Sequence, residues 1–415
     1  MPQGPLDLSI YKQACKEEFF HIVDACKKPC AMYFDSYSMD PINVFLGTSA
    51  LKEHGVEMLF LLDENKLQLP QSNVNSIIFL IAPKLLTADL VAQIALKECY
   101  GKPIHKELHL IGSPRCGQNI KNFLKERNVY NFFDSFNDFN VTLFPLDTDL
   151  LSCENTKTFA DYALHDKESA LFDFANGLMR LQMSYGLFGR VSAKGAKAVR
   201  VADILLRLGQ ENPSLPNAKD GAKTVNELHS QIDLLILIDR SADPLTPLLQ
   251  QITYEGLINE TWGLKFGATH LPFDLSETLT KPKKLLLNSN TDQIFALMRD
   301  LTISRAPFII AEKSKELSEM KKMKGGLAGL KEVINNIPEI QRIESRVEIH
   351  YQIVKELQHF TKTSPLFCNF FDLQQQLLSG IDTEKDQSAI DNALMRRFPL
   401  SSVSHCIRLA NFFII

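Results

Sequence analysis

Residues 232–263 read IDLLILIDRSADPLTPLLQQITYEGLINETWG. The run Leu234-Leu235-Ile236-Leu237-Ile238 is short and unbroken, as expected of a strand buried on both faces in a parallel sheet covered by helices. Asp239, Arg240 and Asp243 arrive together at its end, followed by Pro244 and Pro247. Beyond Pro247 the apolar residues Leu248, Leu249, Ile252, Leu257 and Ile258 change to helical spacing, and proline suits the first turn of a helix because its missing N–H is not needed there. The stretch reads strand, charged turn, proline-started helix. Ligands of open α/β sheets sit at the carboxyl ends of strands, so this turn is a place to look for function, although a purely structural turn has the same composition.

Outward from this stretch, 415 residues are enough for two or three domains. With 45% hydrophobic and 23% charged residues the composition is that of a soluble globular protein, and a formal net charge of −4 gives no electrostatic case for nucleic-acid binding. No apolar run approaches the ~20 residues of a membrane helix, and the opening MPQGPLDLSIYKQACKEEFF has no apolar signal-peptide core. The reading is a cytosolic protein whose membrane association, where it has one, is indirect. The eight cysteines (Cys15, Cys26, Cys30, Cys99, Cys116, Cys153, Cys368 and Cys406) are scattered without a C-x-x-C pair, as free, buried thiols of a reducing compartment are. Cys26, Cys30 and nearby His21 offer one metal-site arrangement, but zinc spacings come as two ligand pairs.

Towards the N-terminus, residues 6–28 carry Leu8, Tyr11, Ala14, Cys15, Phe19, Ile22 and Val23 on one helical stripe, closed by Pro29. Strands are expected at 31–34, 56–62, 76–82 and 107–111, and helices at 41–54, 87–100 and 119–127. This alternation over 30–130 predicts a parallel sheet with helices on both faces, a first domain over 1–140. A second α/β unit begins near Val141, carries helices near 167–185 and 192–208 and a polar loop over 210–230, and includes the strand Leu234–Ile238. Residues 264–284 look irregular, and 285–415 show helical periodicity with little strand signal. Leu327, Leu330, Ile334 and Ile337 form one apolar stripe, and Ile340, Ile343, Val347, Ile353, Val354 and Leu357 a second. Pro338 lies between them, and a helix is not expected to pass it undisturbed, so the pair reads as two helices meeting at a break or hairpin.

Several constellations carry residue types that chemistry uses. The turn 111–119 (IGSPRCGQN) has the glycine separation of a phosphate-binding loop, but Gln118 and Asn119 stand where Lys and Ser/Thr are needed, and Pro114 removes a backbone donor. His105 and His109 are four apart, but Lys106 rather than Glu follows the first, and the segment leads into a strand. Asp239 and Asp243 could act as acid and base or bind a divalent ion, as in a metal-assisted hydrolase; with Arg240 beside them a structural knot is the competing reading. The stripe 327–357, with its Lys-rich lead-in (Lys313, Lys315, Lys321, Lys322, Lys324), could pack a core or present a groove to another helix.

Asp239-Arg240-x-x-Asp243-x-x-Thr246-Pro247-Leu248, followed by Tyr254-Glu255-Gly256-Leu257-Ile258, resembles the signature turn of the Sec/Munc (SM) family of SNARE-binding proteins. Leu51-Lys52-Glu53-His54 with Val56-Glu57, Phe144-Pro145-Leu146-Asp147-x-Asp149-Leu150-Leu151-Ser152 and Ser379-Gly380-Ile381-Asp382-Thr383 resemble its vacuolar protein sorting-associated protein 33 branch, the A-type more than the B-type. The resemblance implies a three-domain arch: α/β domains at 1–140 and 141–247, then a mainly helical, incomplete third domain at 248–415 with a hairpin near 311–360. It implies no catalysis, no cofactor and no metal. It implies binding of syntaxin-type SNAREs and SNARE bundles, guidance of SNARE assembly and membrane fusion, and membership of HOPS and CORVET tethering complexes with vacuolar protein sorting-associated protein 16, at late endosomes, lysosomes or vacuoles. Ile337, Pro338, Ile340, Gln341, Ile343, Val347 and His350 become the SNARE-facing candidates. Asp239, Arg240, Asp243, Thr246, Pro247, Tyr254 and Glu255 become architectural. Family members are longer, so the resemblance also implies that the rest of domain three and the returning half of domain two are missing, leaving sheet edges exposed and partner docking in doubt; a truncated, non-functional fragment is the further alternative.

Overall fold

The computed structural model describes residues 6–63, 74–99, 106–211, 231–243, 246–272, 284–322, 330–364, 367, 371, 374 and 375. They form two compact units, 1–239 and 240–415.

The first unit opens with α1 (Leu8–Asp24), whose N-cap Asp7 accepts the Ser9 N–H, the side-chain role that favours Asp at this position. Then come β1 (Cys30–Phe34), α2 (Met39–Phe45), α3 (Thr48–Glu53), β2 (Val56–Leu61), β3 (Ser76–Ile81), α4 (Leu85–Cys99), β4 (Glu107–Gly112), α5 (Gln118–Glu126) and β5 (Phe133–Asp138). The strands make one parallel sheet in the order β2-β1-β3-β4-β5. All six residues of central β3 are buried; alternate residues point to opposite faces, so both faces are covered. Tyr33, Ile77, Phe79 and Ile81 pack with Ala88, Val91 and Ala95 of α4 and Ile120 and Leu124 of α5. Full burial of each large apolar side chain is worth ~1.5–3 kcal/mol, which makes this layer the main source of the sheet's stability. The single helix expected over 41–54 is two, because the chain is extended at Leu46 before Gly47. The edge strand β5 (FDSFND) escaped the periodicity reading because its Asp and Asn mimic a turn.

The unit continues through the short antiparallel pair β6 (Phe144–Pro145) and β7 (Leu151–Ser152), then α6 (Thr158–Leu164), α7 (Ser169–Tyr185), β8 (Arg190–Lys194), α8 (Ala196–Glu211) and β9 (Leu234–Ile238). Tyr185 ties α7 to the N-terminus: its hydroxyl donates to the Asp7 carbonyl at 2.7 Å and receives the Tyr11 N–H at 3.2 Å. Arg180 of α7 pairs with Glu18 of α1. The helix expected over 192–208 begins later, since Arg190–Lys194 is a strand parallel to β9. Among the described residues β9 pairs with β8, and Leu234, Ile236 and Ile238 are 39%, 59% and 66% exposed. The expectation that this strand is buried on both faces is therefore corrected: apolar composition reports the preference for burial, not the number of layers present to satisfy it.

The second unit comprises α9 (Tyr254–Trp262), the antiparallel pair β10 (Ala268–His270) and β11 (Lys284–Leu286), α10 (Gln293–Met298), α11 (Ala306–Lys322) and α12 (Leu330–Thr363). Tyr254, Leu257, Ile258, Phe295, Met298, Ile310, Ile353, Val354 and Leu357 share its core. Two expectations change. The helix after Pro247 is only a 3-10 turn over Thr246–Leu248, and the α-helix waits until Tyr254, where Thr253 Oγ1 caps it by accepting the Gly256 N–H at 3.2 Å. And α12 runs through Pro338 as one 34-residue helix. An internal proline removes one backbone bond and costs ~3 kcal/mol, an amount that burial of Val347, Ile353, Val354 and Leu357 further along the same helix can absorb. The two helices of the hairpin are thus α11 and α12.

Candidate functional site

The charged turn is built differently on either side of the unit boundary, which falls between Asp239 and Arg240. In the first unit Asp239 is 8% exposed, and its Oδ2 accepts the Lys197 N–H at 3.0 Å, serving the amino end of α8. Gly195, at φ +97°, makes this possible: a Cβ there would lie 2.4 Å from Asp239 Cβ. In the second unit Arg240 donates to the Asp243 carbonyl at 3.2 Å, and Asp243 Oδ1 accepts the Thr246 N–H at 3.0 Å. The latter is a side-chain-closed turn of the kind Asp favours. Pro247 is exposed within the 3-10 turn. Each carboxylate is thus engaged with backbone, and no group of three or more metal-ligating side chains occurs among the described residues.

Tyr254 and Glu255 stand at the start of α9, where their N–H groups donate to the Leu301 and Arg299 carbonyls at 2.8 and 3.2 Å. The Tyr254 side chain enters a buried polar chain. Its hydroxyl lies 2.7 Å from His350 Nδ1, and His350 Nε2 donates to Asp292 Oδ2 at 2.9 Å. Arg346 reaches the same oxygen at 3.2 Å. Asp292 Oδ1 accepts the Ile294 and Phe295 N–H groups, both at 3.1 Å, and so caps α10. Tyr254 and His350 are fully buried and Asp292 is 2% exposed. Burial, then the Asp292 charge, drives the Tyr254 phenol well above its ordinary range. Burial alone would raise the Asp292 carboxyl; the hydrogen bond and charge of His350, the Phe295 N–H and Arg346 outweigh it and hold the group below the usual carboxylate value.

Beside this chain, α10, α11 and α12 enclose a groove of about 440 Å³. Its apolar wall comprises Ile294, Ala296, Leu297, Leu317, Met320 and Ile343, and Lys313, Glu316, Arg342, Arg346 and Asp292 supply the polar positions. Leu297 and Met320 are 48% and 49% exposed. A half-open apolar slot between helices, rimmed by charge, suits the apolar face of another helix.

Of the seven residues expected to face a SNARE, Ile343 lines this groove. Gln341 is exposed and Ile340 half-buried on the same helix. Ile337 and Pro338 are helical, but their side chains lie outside the described residues. Val347 and His350, at 8% and 0% exposure, lie in the core of the unit, because a helix that buries one stripe turns residues three and seven apart inward together. His350 works from beneath the groove. Asp292, Arg346 and the α10 wall were missed. Asp292 directly before the apolar run QIFALM was the available signal, an N-cap signature.

The remaining candidates resolve into structure. At the phosphate-loop-like turn, the Cys116 N–H donates to Asp138 Oδ1 at 2.7 Å, and a Cβ on Gly112 would fall 2.1 Å from Cys116 N; the glycine serves close backbone packing. His109 sits in β4 with Nδ1 2.9 Å from Ser135 Oγ, and His105 lies outside the described residues. Cys26 and Cys30 are buried. None of the helices described is long and apolar enough to cross a membrane.

A model of the Sec1 family matches residues 31–415. Vacuolar protein sorting-associated protein 33A of Rattus norvegicus is 29% identical over 420 residues, covering 98% of this chain and 68% of the relative. The vacuolar protein-sorting-associated protein 33 homologue of Arabidopsis thaliana is 24% identical over 410 residues, covering 97% and 66%. The B-type protein of Rattus norvegicus is 24% identical, covering 97% and 63%. The chain thus spans about two thirds of the length of these relatives. In fold it is similar to the SM protein Vps45 solved in complex with the Qa SNARE Tlg2, at TM-score 0.64 and 17% identity, with 98% of this chain and 70% of that one covered. It is also similar to the Unc18–syntaxin 1 complex from Monosiga brevicollis, at TM-score 0.62 and 13% identity, with 97% and 75% covered.

Proposed function

The chain belongs to the Sec1 family, and on that premise we propose that it is a non-enzymatic SNARE-binding protein that guides SNARE assembly in the fusion of endosomal and lysosomal or vacuolar membranes. The observation that carries the reading is the half-open apolar groove of α10, α11 and α12, flanked on α12 by Ile340 and Gln341, in a chain whose structural relatives include SM proteins solved with syntaxin-type SNAREs. Such a groove offers an amphipathic SNARE helix apolar contact with no chemistry required. The division into domains at 1–140, 141–247 and 248–415, and the architectural role of the 239–247 turn, belong to the same proposal. So do peripheral residence on late endosomes, lysosomes or vacuoles and membership of HOPS- or CORVET-type tethering complexes through vacuolar protein sorting-associated protein 16; the names of the vacuolar-sorting relatives support these.

The test is binding of purified chain to syntaxin-type SNARE helices and to an assembled SNARE bundle, without nucleotide, alongside Met320→Asp and Leu297→Asp. Binding that both substitutions weaken about tenfold or more supports the reading, since a charge on a contact surface must be desolvated. A folded chain that captures neither SNARE form overturns it.

A further inference from the structure

The charges of the described residues around the groove do not cancel. Lys313 pairs with Glu316 at 2.8 Å, and Arg346 with Asp292 at 3.2 Å. Arg342, exposed on α12 one turn before Arg346, lines the groove with no ion-pair partner among the described residues. Among the described residues three cations thus line the groove with two carboxylates, a local excess of positive charge on a chain of formal net charge −4. The Asp292 charge is itself shared, since its Oδ2 accepts from both Arg346 and His350. Among the described residues Arg342 is the lining cation with no carboxylate partner, adjacent in sequence to Ile343 of the apolar wall.

We propose that the groove selects an amphipathic helix that carries a carboxylate at the edge of its apolar stripe, and that Arg342 is the residue that reads this carboxylate. The inference rests on the groove being a helix-binding site and adds the chemistry of the partner. Apolar contact with Ile294, Leu297, Leu317, Met320 and Ile343 supplies affinity for any amphipathic helix; a guanidinium at the rim discriminates among them, because a carboxylate is met by a forked donor and an ammonium by like charge. A neutral or basic edge residue leaves Arg342 unmatched.

The experiment uses three fluorescent synthetic helices with one common leucine stripe and Glu, Gln or Lys at the edge position, titrated against the whole chain by anisotropy. The expected order is Glu tightest, then Gln, then Lys, with about tenfold between the extremes at ~50 mM salt, shrinking at ~300 mM as the ions are screened. Arg342→Glu inverts the order, and Arg342→Gln, which keeps a polar exposed side chain, abolishes the preference. Three helices that bind equally, or an order that Arg342→Gln leaves unchanged, overturn the charge reading while leaving the groove intact as a binding site. If none of the three binds, the groove reading falls and this inference falls with it.

Discussion

The Tyr254 hydroxyl lies 2.7 Å from His350 Nδ1, so the first residue of α9 is bonded to the middle of the helix that carries the groove. Both side chains are fully buried. Tyr254→Phe removes one hydroxyl without changing the ring, leaves a ring nitrogen of His350 unpaired, and is expected to cost ~1–3 kcal/mol in urea unfolding. His350→Leu also takes a partner from the buried Asp292 carboxylate and is expected to cost more, ~3–5 kcal/mol. Equal stability of wild type and both variants would show that the chain does not hold α9 to α12.

Asp292 sets an acid limit on the second unit. Its carboxyl is held below the ordinary 3.8. A carboxyl depressed in the folded state contributes stability that is fully present above its unfolded value and is lost as pH falls through the folded one. Wild type is therefore expected to exceed Asp292→Asn in melting temperature at neutral pH, with the gap closing as pH drops below about 4. A gap that stays constant down to about pH 2 would remove Asp292 from the account of acid sensitivity.

Gly195 is bound to its place by Asp239. At φ +97° any other residue is strained, and an added Cβ would meet Asp239 Cβ at 2.4 Å. Gly195→Ala is expected to lose ~1–2 kcal/mol from the backbone conformation alone, and more from the contact. Asp239→Ala is expected to lose ~0.5–2 kcal/mol with the α8 hydrogen bond, and Asp239→Asn less, because its amide oxygen can still accept. Calorimetry of the three variants gives the ranking; Asp239→Asn falling below Asp239→Ala would point to a role for the charge itself.

Burial pushes the Cys26 thiol up to about 12 and the Cys116 and Cys153 thiols up to about 11. The thiolate is the reactive form, so site-resolved mass spectrometry should find these three nearly unlabelled by iodoacetamide at about pH 8 in the folded protein and fully labelled in urea. Rapid labelling of Cys26 in the native state would contradict its buried placement.

The parallel sheet was legible because its strands are continuous apolar runs: SIIFLI can be little else, and both faces of β3 are buried as that composition demands. The strand 234–238 was legible for the same reason, yet its exposure was not, since burial is a property of neighbours and the pattern of one strand contains none. At Pro338 a local rule was outweighed by the helix around it. Periodicity placed Val347 and His350 on a helix but could not say which stripe faced inward; that depends on Tyr254 and Asp292, residues 96 and 58 positions away. The groove was half legible: the α12 side, with Ile343, came from its stripe, whereas α10 is a six-residue helix too short for periodicity to register.

Those separations bear on how the second unit forms. Bonds between Tyr254 and His350 and between Asp292 and His350 close loops of 96 and 58 residues, and the entropy of closing such loops must be spent before any bond returns energy. Substitutions in this polar chain are accordingly expected to accelerate unfolding and leave the refolding rate almost unchanged, the signature of contacts made after the rate-limiting step. The groove above it would then be the last part of the unit to acquire its shape and, under force or heat, the first to lose it.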